Sequence, residues 1–226
     1  MAPSPRVTAQ TACAALAAAL AVAASAVPAQ ATTITDPLGD FLPTFTGPHD
    51  GDLDVLTASA AINMASVTLS ATLDRAIGTT PGAIYVFGIN RGAGQPLLTL
   101  GAPPVGQGVN FDAVAVLNPA GGSVLNLLLP TAVGPTPLTN VSFSGSSLTA
   151  VIPFSLLPSN GFSTSQYLYN IWPRSGLGQN VQIADFAPDA SSFRASVPEP
   201  AAWGLMLAGF GLAGATLRRR RRAAPA

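Results

Sequence analysis

Between residues 32 and 196, short runs of alternating apolar and polar residues are broken by Gly or Pro roughly every 8–12 residues. The clearest run is Val67-Thr-Leu-Ser-Ala-Thr-Leu-Asp74. In a strand its Val67, Leu69, Ala71 and Leu73 turn to one face, and Thr68, Ser70, Thr72 and Asp74 to the other. Val141-Ser-Phe-Ser, Gly145-Ser-Ser and Leu148-Thr-Ala-Val-Ile-Pro-Phe154 read as a hairpin, with Pro153 marking a strand end or an edge. The same pattern predicts strands at 53–62, 84–90, 111–117, 123–129, 167–172 and 180–184. No segment of this body carries a long apolar stripe at helical spacing. The expectation is one antiparallel β-sandwich domain over 32–196, jelly-roll-like in topology, flanked by an N-terminal signal-peptide helix and a C-terminal transmembrane helix.

The flanks are patterned differently. At the N-terminus Arg6 precedes an apolar run over 12–24, followed by Ala29-Gln30-Ala31. These three parts predict a secretory signal peptide over 1–31, cut by signal peptidase after Ala31, with Ala26 as a second site. Cys13, the only cysteine, lies inside that run, and Gln10 stands where a lipoprotein signal needs Leu. The exported body is therefore expected to have neither a lipid anchor nor a disulfide, and must be held by its core. At the C-terminus Pro198-Glu199-Pro200 precede an uncharged, mostly apolar stretch over 201–217 and the cluster Arg218, Arg219, Arg220, Arg221 and Arg222. The stretch sits at the short end of the length a membrane helix needs, about 17–25 residues. Trp203 falls at an interfacial position, and the Arg cluster holds its end in the cytoplasm.

Pro198, Glu199 and Pro200, Trp203 three residues further on, the Gly-rich apolar span and the terminal Arg cluster together resemble the PEP-CTERM sorting signal over 197–226. The resemblance implies an exported protein of a Gram-negative bacterium. It implies handling by exosortase, a membrane-embedded cysteine transpeptidase-like enzyme that cuts near the Pro-Glu-Pro motif. The tail would then be a substrate for another protein's catalysis. The chain would pass through an inner-membrane-anchored intermediate, C-terminus cytoplasmic, on its way to the cell surface or an extracellular polysaccharide matrix.

Charge sharpens this division. The net charge is zero, but every base is Arg and six of the ten lie in the flanks. The body holds four Arg against nine Asp, which leaves it five charges negative. Charged residues are only 9% of the chain, and a nucleic-acid binder needs basic residues on its body. No nucleic-acid partner is expected.

Candidate chemistry is sparse. Asp36, Asp40, Asp50, Asp52 and Asp54 crowd one short segment. In strand geometry Asp50, Asp52 and Asp54 would share a side. Clustered carboxylate oxygens suit Ca²⁺. The run opens like an EF-hand loop but fails further on, at Leu56 and Ala61, the latter standing where the bidentate Glu belongs. The alternatives are a structural Ca²⁺ site and Asp side chains capping their own turns. No other cofactor is expected.

The Asp36-Pro-Leu-Gly-Asp40 opening and the strand after it also resemble the start of some secreted carbohydrate-associated sandwich domains. Of the aromatic residues, Tyr167 and Tyr169 alternate with Ile171 as a core face does, which leaves Trp172 as the candidate for stacking on a sugar. His49 is the only histidine and has no recognisable nucleophile partner, so no catalytic residue is assigned. The leading expectation is an exported, exosortase-sorted protein with a non-catalytic structural or adhesive β domain. A carbohydrate-binding module delivered by the same route is the alternative, and a glycoside-acting enzyme built on paired Asp residues a weaker one.

Overall fold

The computed structural model describes residues 32–195. The expected signal peptide, with Ala29 and Ala31, and the tail from residue 196 onward lie outside the described residues. Eleven strands form two antiparallel sheets: β1 Thr32–Thr35, β2 Val55–Ile62, β3 Ser66–Leu73, β4 Ile84–Asn90, β5 Ala113–Leu117, β6 Val124–Leu127, β7 Val133–Pro137, β8 Val141–Ser144, β9 Ser147–Pro153, β10 Leu168–Arg174 and β11 Phe193–Arg194. The first sheet runs β1-β2-β3-β9-β8 and the second β11-β10-β4-β5-β6-β7.

The alternation in β3 does what the sequence requires of it. Val67, Leu69, Ala71 and Leu73 are buried while Thr68, Ser70 and Thr72 are half-buried on the opposite face. The β8–β9 turn is Gly145-Ser146, and Gly145 has φ +57°, the left-handed region a two-residue hairpin turn needs at its first position. Between the sheets, Leu69, Leu73, Leu148 and Ile152 from the first meet Tyr85, Phe87, Ile89, Leu117, Tyr169 and Ile171 from the second in one continuous core. Tyr85 approaches Phe143 across the gap with ring centroids 6.3 Å apart.

The sandwich is as expected, with simpler wiring than a jelly roll. The chain stays within a sheet for β1–β3, β4–β7, β8–β9 and β10–β11, and changes sheet only between those groups. Three short strands, β1, β7 and β11, were not expected. Conversely, 180–184 is no strand. Asn180–Gln182 is a 3-10 turn, pinned where the Asn180 amide donates to the carbonyls of Leu98 and Pro103, both at 2.8 Å.

The second sheet is buried on both faces at β4 and β10. Every residue of β4 is buried. On its outer side the chain over 91–111 and 175–190 folds back, and Val105, Val109, Phe111, Ile183 and Phe186 form a second apolar cluster with Val86 and Trp172. Trp172 packs against Gly88, where a Cβ would come within 2.5 Å of the indole ring. A buried ion pair anchors the covering loop. Arg91 donates through Nε to Asp112 Oδ1 at 2.9 Å, and through Nη1 and Nη2 to the carbonyls of Pro158 (2.9 Å) and Leu129 (2.7 Å).

Candidate functional site

The five clustered Asp residues divide into two groups, because Gly51–Leu53 winds into a 3-10 turn where a strand was expected. Asp50, Asp52 and Asp54 therefore do not share one side. Asp52 is fully buried and accepts hydrogen bonds from Thr80 N (2.8 Å) and Thr80 Oγ1 (2.5 Å); Asp50 Oδ2 accepts from the same hydroxyl at 3.1 Å. These two carboxylates fasten the β3–β4 connection, and the structure does not bring them together with Asp36 and Asp40 as the crowding in sequence suggested.

Asp36 and Asp40 converge instead with Asp185, which sequence reading did not single out. One carboxylate oxygen from each lies within 4.8 Å of the others. Asp54, immediately before β2, lies near enough for its charge to act on Asp36 and Asp185, and its Oδ2 accepts from Gly39 N at 2.8 Å. Asp185 is fully buried, with Oδ2 accepting from Val55 N (2.9 Å) and Oδ1 from Phe186 N (2.6 Å). Three oxygens of the group, Asp36 Oδ2, Asp40 Oδ1 and Asp54 Oδ1, are buried with no hydrogen-bond donor.

Like charges at this separation oppose one another's ionisation. Burial, and then the charges of Asp185, Asp40, Asp189 and Asp54, push the Asp36 carboxyl up to about 8. Burial pushes Asp185 up to about 7, against the pull of the Val55 and Phe186 N–H groups. Asp40 and Asp54 are also raised, chiefly by burial. Glycoside hydrolysis needs its two carboxyl groups about 5–9.5 Å apart, with a glycosidic bond between them. Oxygens packed within 4.8 Å, one residue sealed from solvent, suit a shared cation better than a sugar.

Trp172 is 2% exposed and wedged between Phe111 and Phe186, with ring centroids at 5.1 and 5.8 Å. It shows no face to a ligand, which corrects the expectation of a stacking ring. The strand pattern had placed it opposite Tyr169 and Ile171; it could not reveal that loops cover that opposite face. His49 is exposed and stacks on Phe41 at 4.5 Å.

A further surface emerges only from strand register. On the outer face of the first sheet, Thr33, Ser59, Ser70, Thr149 and Ser142 line up across all five strands. Thr35, Thr57, Thr72, Ser147 and Ser144 form a second row beside them. Ser70 and Thr149 are hydrogen-bonded hydroxyl to hydroxyl at 3.1 Å, and Thr72 and Ser147 at 3.4 Å. The rows contain no charged residue and repeat at the sheet's own spacings, about 4.8 Å between strands and about 6.8 Å along them.

The chain's tail matches the model of the PEP-CTERM protein-sorting motif over residues 196–222. The match spans Pro198, Glu199, Pro200, Trp203 and all five Arg of the cluster. The chain therefore carries the signal of an exported protein that exosortase processes from a membrane-anchored intermediate. It matches none of the curated proteins compared with it.

Proposed function

We infer that the body is a non-catalytic adhesive module, delivered to the cell surface or the extracellular matrix, whose hydroxyl-lined outer sheet face contacts extracellular polysaccharide. The observation that carries this reading is the double row of Ser and Thr across β1, β2, β3, β9 and β8. Each hydroxyl both donates and accepts, as sugar hydroxyls do. A single such hydrogen bond is worth only about 0.5–1.5 kcal/mol net. A repeating face meeting a repeating polymer adds many weak contacts at high effective concentration. The face carries no charge, which disfavours polyanions held by ion pairs. Burial of Trp172 removes the anchor of the stacking-type carbohydrate module.

The full chain in detergent, incubated with the host's own exopolysaccharide and sedimented with it, tests the reading. Ser70→Arg and Thr149→Arg place a bulky charge at the centre of the face without touching the core. Retention should fall at least tenfold in both. Equal retention of parent and variants, or no retention of the parent, refutes the reading. So does a concentration-dependent dimer lost in both variants, which would make the face a contact between copies.

A further inference from the structure

We propose that Asp36, Asp40, Asp54 and Asp185 form a site for one hard divalent cation, Ca²⁺, that fastens the opening segment of the domain to the loop following β10. The donors come from three separate stretches: the turn after β1, the first residues before β2, and the far end of the second sheet. They meet because the backbone already brings these stretches together. Leu42 N donates to Ala184 O at 2.8 Å, Thr46 N to Val181 O at 3.0 Å, and Val55 N to Asp185 Oδ2 at 2.9 Å.

Two independent features point to a ligand. First, the oxygens of Asp36, Asp40 and Asp185 within 4.8 Å of one another match the separations of ligands lying about 2.3–2.6 Å from a common Ca²⁺. Second, Asp54 is 3% exposed, yet its Oδ1 has no donor. A carboxylate oxygen sealed from water without a partner is costly, and the Asp54 carboxyl lies near enough to Asp36, Asp40 and Asp185 for their charges to interact. None of the four is ion-paired to an Arg among the described residues. Arg91 is committed to Asp112, Arg75 to Asp74, and Arg174 to the carbonyls of Gly176 and Gln179. An all-oxygen donor set without His or Cys selects Ca²⁺ over softer metals. The flexible span of three chain segments suits Ca²⁺ better than Mg²⁺, which demands tight octahedral geometry. The two backbone N–H bonds to Asp185 leave a lone pair on each oxygen for the cation.

The consequence is a clamp that responds to compartment. Extracellular Ca²⁺ modules bind with Kd of about 10⁻⁴–10⁻³ M. At such affinity the site fills outside the cell and the domain tightens there, after export.

The test is thermal unfolding of the full chain in detergent, with EDTA or with about 10 mM Ca²⁺, alongside calorimetric titration with Ca²⁺ and with Mg²⁺. At about 100-fold excess over Kd, the midpoint should rise by about 5–10 °C with Ca²⁺. Mg²⁺ should give a much smaller rise, and binding should saturate at one Ca²⁺ per chain. Asp36→Asn and Asp40→Asn, both at half-buried positions, should fold, abolish the Ca²⁺-dependent rise and weaken binding at least tenfold. Asp185→Asn carries no weight in the test, because Asp185 also fastens Val55. No heat and no shift with Ca²⁺, an equal shift in the Asn variants, or an equal response to Mg²⁺ overturns the proposal.

Discussion

Replacing Trp172 with Ala separates a packing role from a ligand-binding role. Trp172 is 2% exposed, touches Phe111 and Phe186, and covers Gly88 so closely that a Cβ there would clash. Truncation removes the centrepiece of the second apolar cluster, and Gly88 beneath has no side chain to fill the space. Burying an indole and then deleting it costs about 3–5 kcal/mol. For a domain of this size, each kcal/mol shifts the midpoint by about 2–4 °C, so the variant should melt about 6–20 °C lower. Trp172→Phe should cost far less. It keeps most of the apolar volume and removes an indole N–H that has no hydrogen-bond partner. Far-UV circular dichroism during heating reads both variants. A Trp172→Ala midpoint within about 2 °C of the parent, with polysaccharide retention lost, would refute the packing argument and return this ring to ligand binding.

Asp112 should be as intolerant. It accepts from Arg91 N and Nε, Ala93 N and Asn160 Nδ2, and Asp112→Ala strands a buried guanidinium. A loss of about 3–5 kcal/mol is expected, and Arg91→Met with Asp112→Leu should cost less than the single change, as urea denaturation would show. Stability of the metal-free protein should depend on pH. Folded-state values for Asp36 near 8 and Asp185 near 7 lie above the ordinary 3.8, so the folded chain holds more protons than the unfolded one between about pH 4 and 8. Stability should therefore be greatest below about pH 4 as far as these groups go, and fall as pH rises through that window. The fall should be on the order of a few kcal/mol, with the half-exposed Asp36 contributing less than its shift suggests. In EDTA, a midpoint that rises steadily from pH 5 to 8 would contradict this, and Ca²⁺ should flatten the slope.

What was legible in the sequence follows from the range of the forces involved. Period-two runs encode their own strands, and β3 and the β8–β9 hairpin fall where alternation places them, while β4 is a continuous apolar run buried on both faces. β1 is Thr-Thr-Ile-Thr and β7 carries Pro135 and Pro137. Neither has an apolar stripe, and both form as edges by pairing with neighbours that were already specified. The site residues divide the same way. Asp36, Asp40 and Asp54 stand out because they crowd one segment, whereas Asp185 reaches them across 130 residues of chain from its bond to Val55. Thr80, which draws Asp50 and Asp52 away, is also distant in sequence. The hydroxyl rows were invisible for the same reason. Thr68, Ser70 and Thr72 could be assigned to an outer face, but their alignment with β1, β2, β8 and β9 exists only in the register.

The account rests on a body freed from its tail by exosortase. Intact-mass analysis of the chain recovered outside the membrane of its native host tests this most directly. The account predicts a mature product that ends near Pro198-Glu199-Pro200 and lacks Arg218–Arg222. A released product that still carries the Arg cluster would contradict it.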